Sequence, residues 1–311
     1  MNKNSTIPLE EKRNESIYFV NKRSIKSILR DLIFLLKGYV LVANVFPVLV
    51  GFWLASYFTG SSLTDNGFLF LNTMVGSILV IAGALVLNNW YEVDLDEKMD
   101  RTQKRPTVTG SFSLNTVLMM GILFTIIGFV FLLQTTIEAT IYGIIGWFTY
   151  VVLYTFWSKR KYTANTIIGA VSGAVTPLIG WAAIAPGYHI VPITVALIVF
   201  IWQMPHTYSI AIRRFDDYKR AGVAMLPVKH GIDVTKRQIL LYITCLLPLP
   251  FFLWSLGPAF VIISTILNLV WIVIAIRGLT TKENGKWANA IFIYSVNYMM
   301  ILLALIMIVT W

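Results

Sequence analysis

Apolar residues fill this chain in long unbroken blocks, and polar residues are confined to the short gaps between them. Blocks apolar on every face and long enough to cross a bilayer as helices fall at about 38–58, 68–90, 112–133, 136–157, 164–185, 190–212, 238–256, 259–277 and 288–310. The pattern predicts an all-α, polytopic membrane protein with nine transmembrane helices around a central cavity. The turns near 134–135 and 257–258 are the tightest connections. Residues 1 to about 23 are polar and mixed in charge, which reads as a disordered tail. An amphipathic approach from Ser24 to Leu36, lying at the membrane surface, leads into a transmembrane domain over 37–311. No apolar run with a small-residue cleavage site follows the basic start, which argues against a signal peptide. Glu10, Glu11 and Glu15 argue against a mitochondrial presequence, which is poor in acids.

Composition agrees: 57% of residues are hydrophobic and only 13% are charged, about half the charged share of a soluble domain. The net charge of +10 raises nucleic acid as a partner, and the distribution of the bases excludes it. Eight Lys and Arg precede the first span, four lie in loop 91–111, three at 159–161, seven at 213–237 and three at 277–286. With nine spans, all 25 fall on one side, which predicts a cytoplasmic amino terminus and an external carboxyl terminus in a cell membrane, the bacterial cytoplasmic membrane by preference. Cys245, the single cysteine, lies in an apolar run and reads as packing.

The acids repeat the asymmetry, with only Asp65 and Glu138 in external loops, although orientation rules place no demand on acids. In LVLNNWYEVDLDEKMDRTQKR, residues 85–105, Asn88, Glu92 and Asp96 recur every four residues, a column on one helical face. Two carboxylates about 6 Å apart repel by roughly 3 kcal/mol at an effective dielectric near 20, so a cation is expected there. Magnesium, or manganese in its place, suits oxygen ligands with a substrate phosphate completing the shell. A second polar loop follows the sixth span, where Asp217 stands eleven residues after His206, close to the same helical face. Acid-bearing helix ends after spans 2 and 6 predict a four-helix pseudo-repeat enclosing one cavity. His206, beside Pro205 in a membrane span, either serves function or satisfies a carbonyl that the proline frees. Lys159, Arg160, Lys161, Arg213 and Arg214 either hold an anionic substrate or anchor helix ends at headgroups. Gly76, Gly83, Gly169, Ser172 and Gly173 read as close helix packing. Trp157, Tyr162 and Trp287 read as interfacial anchors. Asn289, Asn297 and Tyr298 read as interhelical hydrogen-bonding groups or as cavity lining.

Asn88, Asn89, Glu92 and Asp96 occupy the places of the Asn-Asp-x-x-Asp-x-x-x-Asp motif, so the chain resembles the intramembrane aromatic prenyltransferases. WSKRKYTANTIIGAVSGAVTPLIGW at 157–181 and FIWQMPHTYSIAIRRFDDYKRAGVAMLPV at 200–228 resemble the haem branch of that family, and the likeness runs from about Lys37 to the end. The second place of the motif is Asn and the third Glu. Quinone-type members carry Asp where this chain has His206 and Arg213, and Lys37-Gly38-Tyr39 stands where many members have Lys-Pro-Arg. The resemblance implies a transferase that takes farnesyl diphosphate, protohaem and water to haem O and diphosphate. It also implies the next enzyme of haem A synthesis as a partner. In that reading Asn88, Glu92, Asp96 and Asp217 hold the metal, and Arg101, Lys104, Arg105, Lys159, Arg160 and Arg213 bind diphosphate or another anion. His206 orients or deprotonates the added water. The alternatives are a prenyltransferase for a quinone precursor or chlorin, which His206 and the AMLPV segment disfavour, and an ion-coupled transporter, whose acids belong near the midplane.

Overall fold

A computed structural model of the chain describes residues 24–62 and 64–311; the predicted tail over 1–23 lies outside the described residues. The first helix, α1 (Ile25–Leu35), is amphipathic: Leu35 is buried against Val86 and Val117, while Ile25, Leu29, Ile33 and Phe34 are exposed. Lys37 then adopts a left-handed conformation (φ 48°), which only glycine takes without cost, and separates α1 from α2.

Nine helices among the described residues are long and apolar enough to cross a membrane. They are α2 (Gly38–Thr59), α3 (Gly67–Tyr91), α5 (Leu114–Leu133), α6 (Ile137–Ser158), α7 (Asn165–Ala182), α8 (Ile190–Arg213), α11 (Ile232–Leu256), α12 (Pro258–Thr280) and α13 (Asn284–Val309). Short helices α4 (Val93–Asp96), α9 (Phe215–Arg220) and α10 (Leu226–His230) occupy the two polar loops. Side-chain oxygens of Ser113 and Thr136 accept the Thr116 and Ala139 amides, at 3.2 and 3.0 Å, and so start α5 and α6 where orphan N–H groups need partners. Gly257, at φ +95°, makes the tight break between α11 and α12.

The seventh span starts at Ile232, six residues before the hydropathy boundary at 238, because Gly231 ends α10 and the basic turn is itself helical. Its Lys236 is buried, donating to the Thr281 carbonyl at 3.0 Å and lying over the Trp287 ring. Trp287 is accordingly no interfacial anchor: it is buried against Gly278 and donates to the Ile274 carbonyl at 3.0 Å. Cys245 is exposed on the outer surface of α11 and does not pack inside. Asn297 bonds its own helix, at the Ile293 carbonyl, and not a neighbour. Farther along α11, Pro250 cannot donate to the Leu246 carbonyl four residues back; that carbonyl accepts instead from Leu249 N at 3.2 Å and from Asn268 Nδ2 of α12 at 3.0 Å.

Small residues set the helix spacing. Gly76 and Gly83 of α3 meet Gly128 and Gly121 of α5 at backbone contact, and Gly173 lies against Gln203. The tightest crossing joins α2 and α7. A Cβ on Gly180 would stand 1.9 Å from the Val48 carbonyl oxygen, and one on Gly51 would stand 2.0 Å from that of Pro177.

Candidate active site

The acidic column survives a break in the helix that carries it. α3 ends at Tyr91 and Glu92 leaves helical geometry (φ −97°, ψ 15°), yet Glu92 N still donates to Asn88 O at 3.1 Å and Asp96 N to Glu92 O at 2.8 Å. Those two bonds keep Asn88, Glu92 and Asp96 stacked, and all three are buried. Asn88 is oriented at both ends of its amide: Lys37 donates to Oδ1, and Nδ2 donates to Thr155 Oγ at 3.0 Å.

A cation meets each carboxylate. Lys159 Nζ lies 2.5 Å from Glu92 Oε1 and donates to Oε2 at 2.6 Å, and Arg105 donates to Asp96. Thr155 lies on, and Lys159 directly follows, a π-helical stretch, Thr149–Ser158, that closes α6, where the wider Lys159 N to Tyr154 O bond spans five residues; such stretches recur at functional sites. Lys159 Nζ also stands 5.3 Å from the centre of the Tyr154 ring. Burial alone would raise the Glu92 carboxyl, and Lys159 and Lys37 outweigh it, holding Glu92 below its ordinary value. Burial likewise disfavours a charged Lys159, and Glu92 and Tyr154 outweigh that, leaving it raised. Lys37 is pushed well below its ordinary value by burial, reinforced by Arg105 and Lys159. Lys37, Arg105 and Lys159 are thus three bases facing only two carboxylates, and a bound anion would offset the burial and repulsion that disfavour a charged Lys37.

The two polar loops come together on an apolar base of Leu95, Met99, Ala211, Ala221, Val223 and Met225. Arg220 links them, reaching Asp217 at 2.5 Å and Asp100 at 2.9 Å. Asn165 pins the second loop to the start of α7, donating to the Ala224 carbonyl at 2.9 Å. Asp217 is buried, with Arg220 and, at 4.0 Å, Arg214 as its partners. Arg214 leaves helical geometry between α8 and α9 (φ −116°, ψ 31°), yet Arg214 N still donates to Ile210 O at 2.9 Å and Tyr218 N to Arg214 O at 3.1 Å, the pattern seen at Glu92. Arg160 forms a two-pronged pair with Asp94, both contacts 2.8 Å, and lies over Tyr91. Arg101 and Lys104 are exposed, and Arg213 lies 4.4 Å from the centre of the Phe292 ring. His206 does not serve a carbonyl freed by Pro205: its Nδ1 is 2.8 Å from Ser295 Oγ of α13.

The donors at the column fit a hard cation. They are oxygens throughout; Glu92 Oε1 has the Lys159 ammonium at 2.5 Å as its partner, and the buried Oδ1 of neighbouring Asn89 accepts no hydrogen bond. Among the described residues no three His, Cys, Asp or Glu side chains gather closely enough to hold a metal alone, so amide and phosphate oxygens would have to complete a magnesium shell. Lys37, Tyr154 and Thr155 joined the site unannounced. Lys37 was visible only as part of Lys-Gly-Tyr, and nothing in the spacing of an apolar span marks Tyr154 or Thr155.

A bundle of membrane helices with buried carboxylates and an excess of cations just beyond the helix ends defines an intramembrane enzyme acting on an anionic substrate. The acids lie past the span ends and not at a midplane, the reverse of the transporter arrangement. The model of the UbiA prenyltransferase family matches residues 44–296, and the chain belongs to that family. It is 52% identical to a protoheme IX farnesyltransferase of Oceanobacillus iheyensis, over 93% of this chain and 92% of the relative. It is 46% identical to one of Geobacillus kaustophilus, over 92% and 93%. The fold is shared with a digeranylgeranylglyceryl phosphate synthase (TM-score 0.72, 20% identity, 91% of this chain and 98% of that one). It is also shared with a UbiA homolog from Archaeoglobus fulgidus bound to GPP and Mg2+ (TM-score 0.67, 15% identity, 89% and 99%).

Proposed function

We propose that this protein transfers the farnesyl group of farnesyl diphosphate to a vinyl group of protohaem IX, with addition of water, giving haem O and diphosphate. The observation that carries the reading is the unbalanced set Lys37, Arg105 and Lys159 around Glu92 and Asp96. The near-full-length likeness to proteins named protoheme IX farnesyltransferase supports the choice of substrates.

Asn88, Glu92 and Asp96 would hold magnesium or manganese, with Asp217 brought in from the second loop. Once bound, the metal would neutralise the diphosphate and make it a better leaving group. Lys37, Arg105 and Lys159 would take the phosphate oxygens as the carboxylates turn to the metal, and Arg160, Arg101 and Lys104 would attract the anion at the rim. The farnesyl carbon that loses diphosphate becomes an allylic cation. The vinyl group attacks it, forming the new carbon–carbon bond and leaving a second cation beside the haem ring. Apolar surroundings within the membrane would limit water until that point. Water then adds at the second cation, and His206 would take its proton.

Membranes containing the protein, given protohaem and farnesyl diphosphate, should yield haem O by mass spectrometry of the extracted haems, and excess chelator should abolish it. A farnesylated product other than haem O would overturn the substrate assignment; undiminished turnover in chelator would remove the metal. We place the amino terminus in the cytoplasm and the carboxyl terminus outside, where the next enzyme of haem A synthesis is a natural membrane neighbour. A reporter fused after Trp311 should work only outside, and cytoplasmic activity would reverse the orientation.

A further inference from the structure

Ser295 is buried in α13 and touches His206 and the residues around it at three points. Its Oγ lies 2.8 Å from His206 Nδ1 and 2.6 Å from the Phe292 carbonyl oxygen, and its own carbonyl accepts from Trp202 Nε1 at 2.7 Å. Trp202 in turn stacks on the imidazole, centroids 4.7 Å apart and planes 20° from parallel, and Phe292 closes the neighbouring side at 5.2 Å.

One hydroxyl hydrogen decides the protonation pattern. A carbonyl oxygen can only accept, so the Ser295 hydrogen goes to Phe292, and the contact with His206 is satisfied only if Nδ1 carries the proton and donates it. A neutral imidazole has one N–H, so the lone pair lies on Nε2, which makes no hydrogen bond among the described residues. The stacked Trp202 ring resists rotation of the imidazole, and Trp202 is itself tied to Ser295.

We propose that Ser295 is a positioning residue for the hydration half of the reaction, holding His206 as the Nδ1–H tautomer so that Nε2 is the basic nitrogen. This rests on the reading of His206 as the group that receives the proton of water. In that step the water oxygen bonds to the cationic carbon, one water proton passes to Nε2, and the resulting imidazolium keeps its Nδ1–H on Ser295 until Nε2 returns the proton to water. The serine does not touch substrate; it fixes which nitrogen is free and where the ring lies, as the partners of catalytic and metal-bound histidines do.

The test uses the full chain in detergent. The sequence has three histidines, so ring-nitrogen NMR of 15N-histidine-labelled protein, with His206 assigned by its loss in His206→Gln, reads the tautomer directly. The parent should show Nδ1–H at His206, and Ser295→Ala should shift it toward Nε2–H. Haem O turnover per folded molecule should fall about tenfold or more in Ser295→Ala, with KM for farnesyl diphosphate unchanged. Ser295→Cys keeps the volume but accepts only weakly, and should lose turnover like Ala; it also carries the measurement should the alanine variant fold poorly. Parent protein with Nε2–H at His206, or both Ser295 variants turning over at the parent rate, would overturn the assignment. If His206→Gln is inactive while the Ser295 variants are normal, Ser295 alone is removed. If His206→Gln makes haem O at the parent rate, the role of His206 falls and that of Ser295 with it.

Discussion

Asp96→Asn should lower haem O formation at least about 10²-fold, the scale of losing one electrostatic element of an active site. The same change leaves Arg105, itself buried, without its counter-charge, and breaking a buried pair from one side costs about 3–5 kcal/mol. Lost activity alone would therefore not separate a metal ligand from a structural ion pair. The double variant Asp96→Asn with Arg105→Gln does separate them, because it removes both charges. Thermal stability in detergent should return most of the way toward the parent, while haem O formation stays at or below the level of the single variant. Recovery of activity along with stability would show that Asp96 and Arg105 serve only the fold, and would remove them from the site.

That ambiguity begins in the sequence, where mutual repulsion of Glu92 and Asp96 called for a compensating cation. The folded chain already supplies two, Lys159 to Glu92 and Arg105 to Asp96, so repulsion alone no longer calls for a metal; the surplus of bases calls for an anion, and a metal would enter with the diphosphate oxygens that complete its shell. The four-residue spacing was enough to place the column, because the i to i−4 bonds at Glu92 and Asp96 persist through the break at the end of α3. A like break falls at Arg214 between His206 and Asp217, again bridged by i to i−4 bonds at Arg214 and Tyr218, and no proline or glycine announces it. All nine spans were legible, since bilayer thickness fixes their length and hydropathy marks it. The start of α11 was not, because hydropathy cannot tell a basic helical turn from a basic loop. Lys37 was obscured for a related reason: its side chain reaches Asn88 because the backbone turns left-handed at that residue, and such a turn has no signature when the residue is not glycine. Partners distant in sequence, such as Ser295 for His206, are set by which spans pack together, and apolar blocks of similar composition do not encode that.

Gly180→Leu should leave essentially no folded protein in the membrane. The chain pattern flagged glycines in α3 and α7 for close packing but passed over the two that cross at the tightest point, Gly51 and Gly180. At Gly180 even a bare Cβ would fall 1.9 Å from the Val48 carbonyl oxygen and 2.7 Å from the Phe52 amide nitrogen, and the obstacle is backbone, which cannot rotate aside. Restoring an ordinary contact of about 3.5 Å requires the helices to part by more than 1 Å, and a gap of about 0.5–1 Å already forfeits a quarter to a half of each dispersion contact. In a bilayer no hydrophobic driving force makes up that loss, because lipid tails solvate the parted helices as well as they solvate one another. Val48 and Phe52 are fully buried beside this crossing, each in its own cluster with residues of α7, so both clusters open together. Gly180→Ala, with only the Cβ added, should fold in part and melt at a clearly lower temperature, as overpacking typically costs about 1–3 kcal/mol. Size-exclusion profiles and thermal melts of the two variants in the same detergent test the ordering. A leucine variant as monodisperse and as stable as the parent would mean that α2 and α7 do not cross at these glycines.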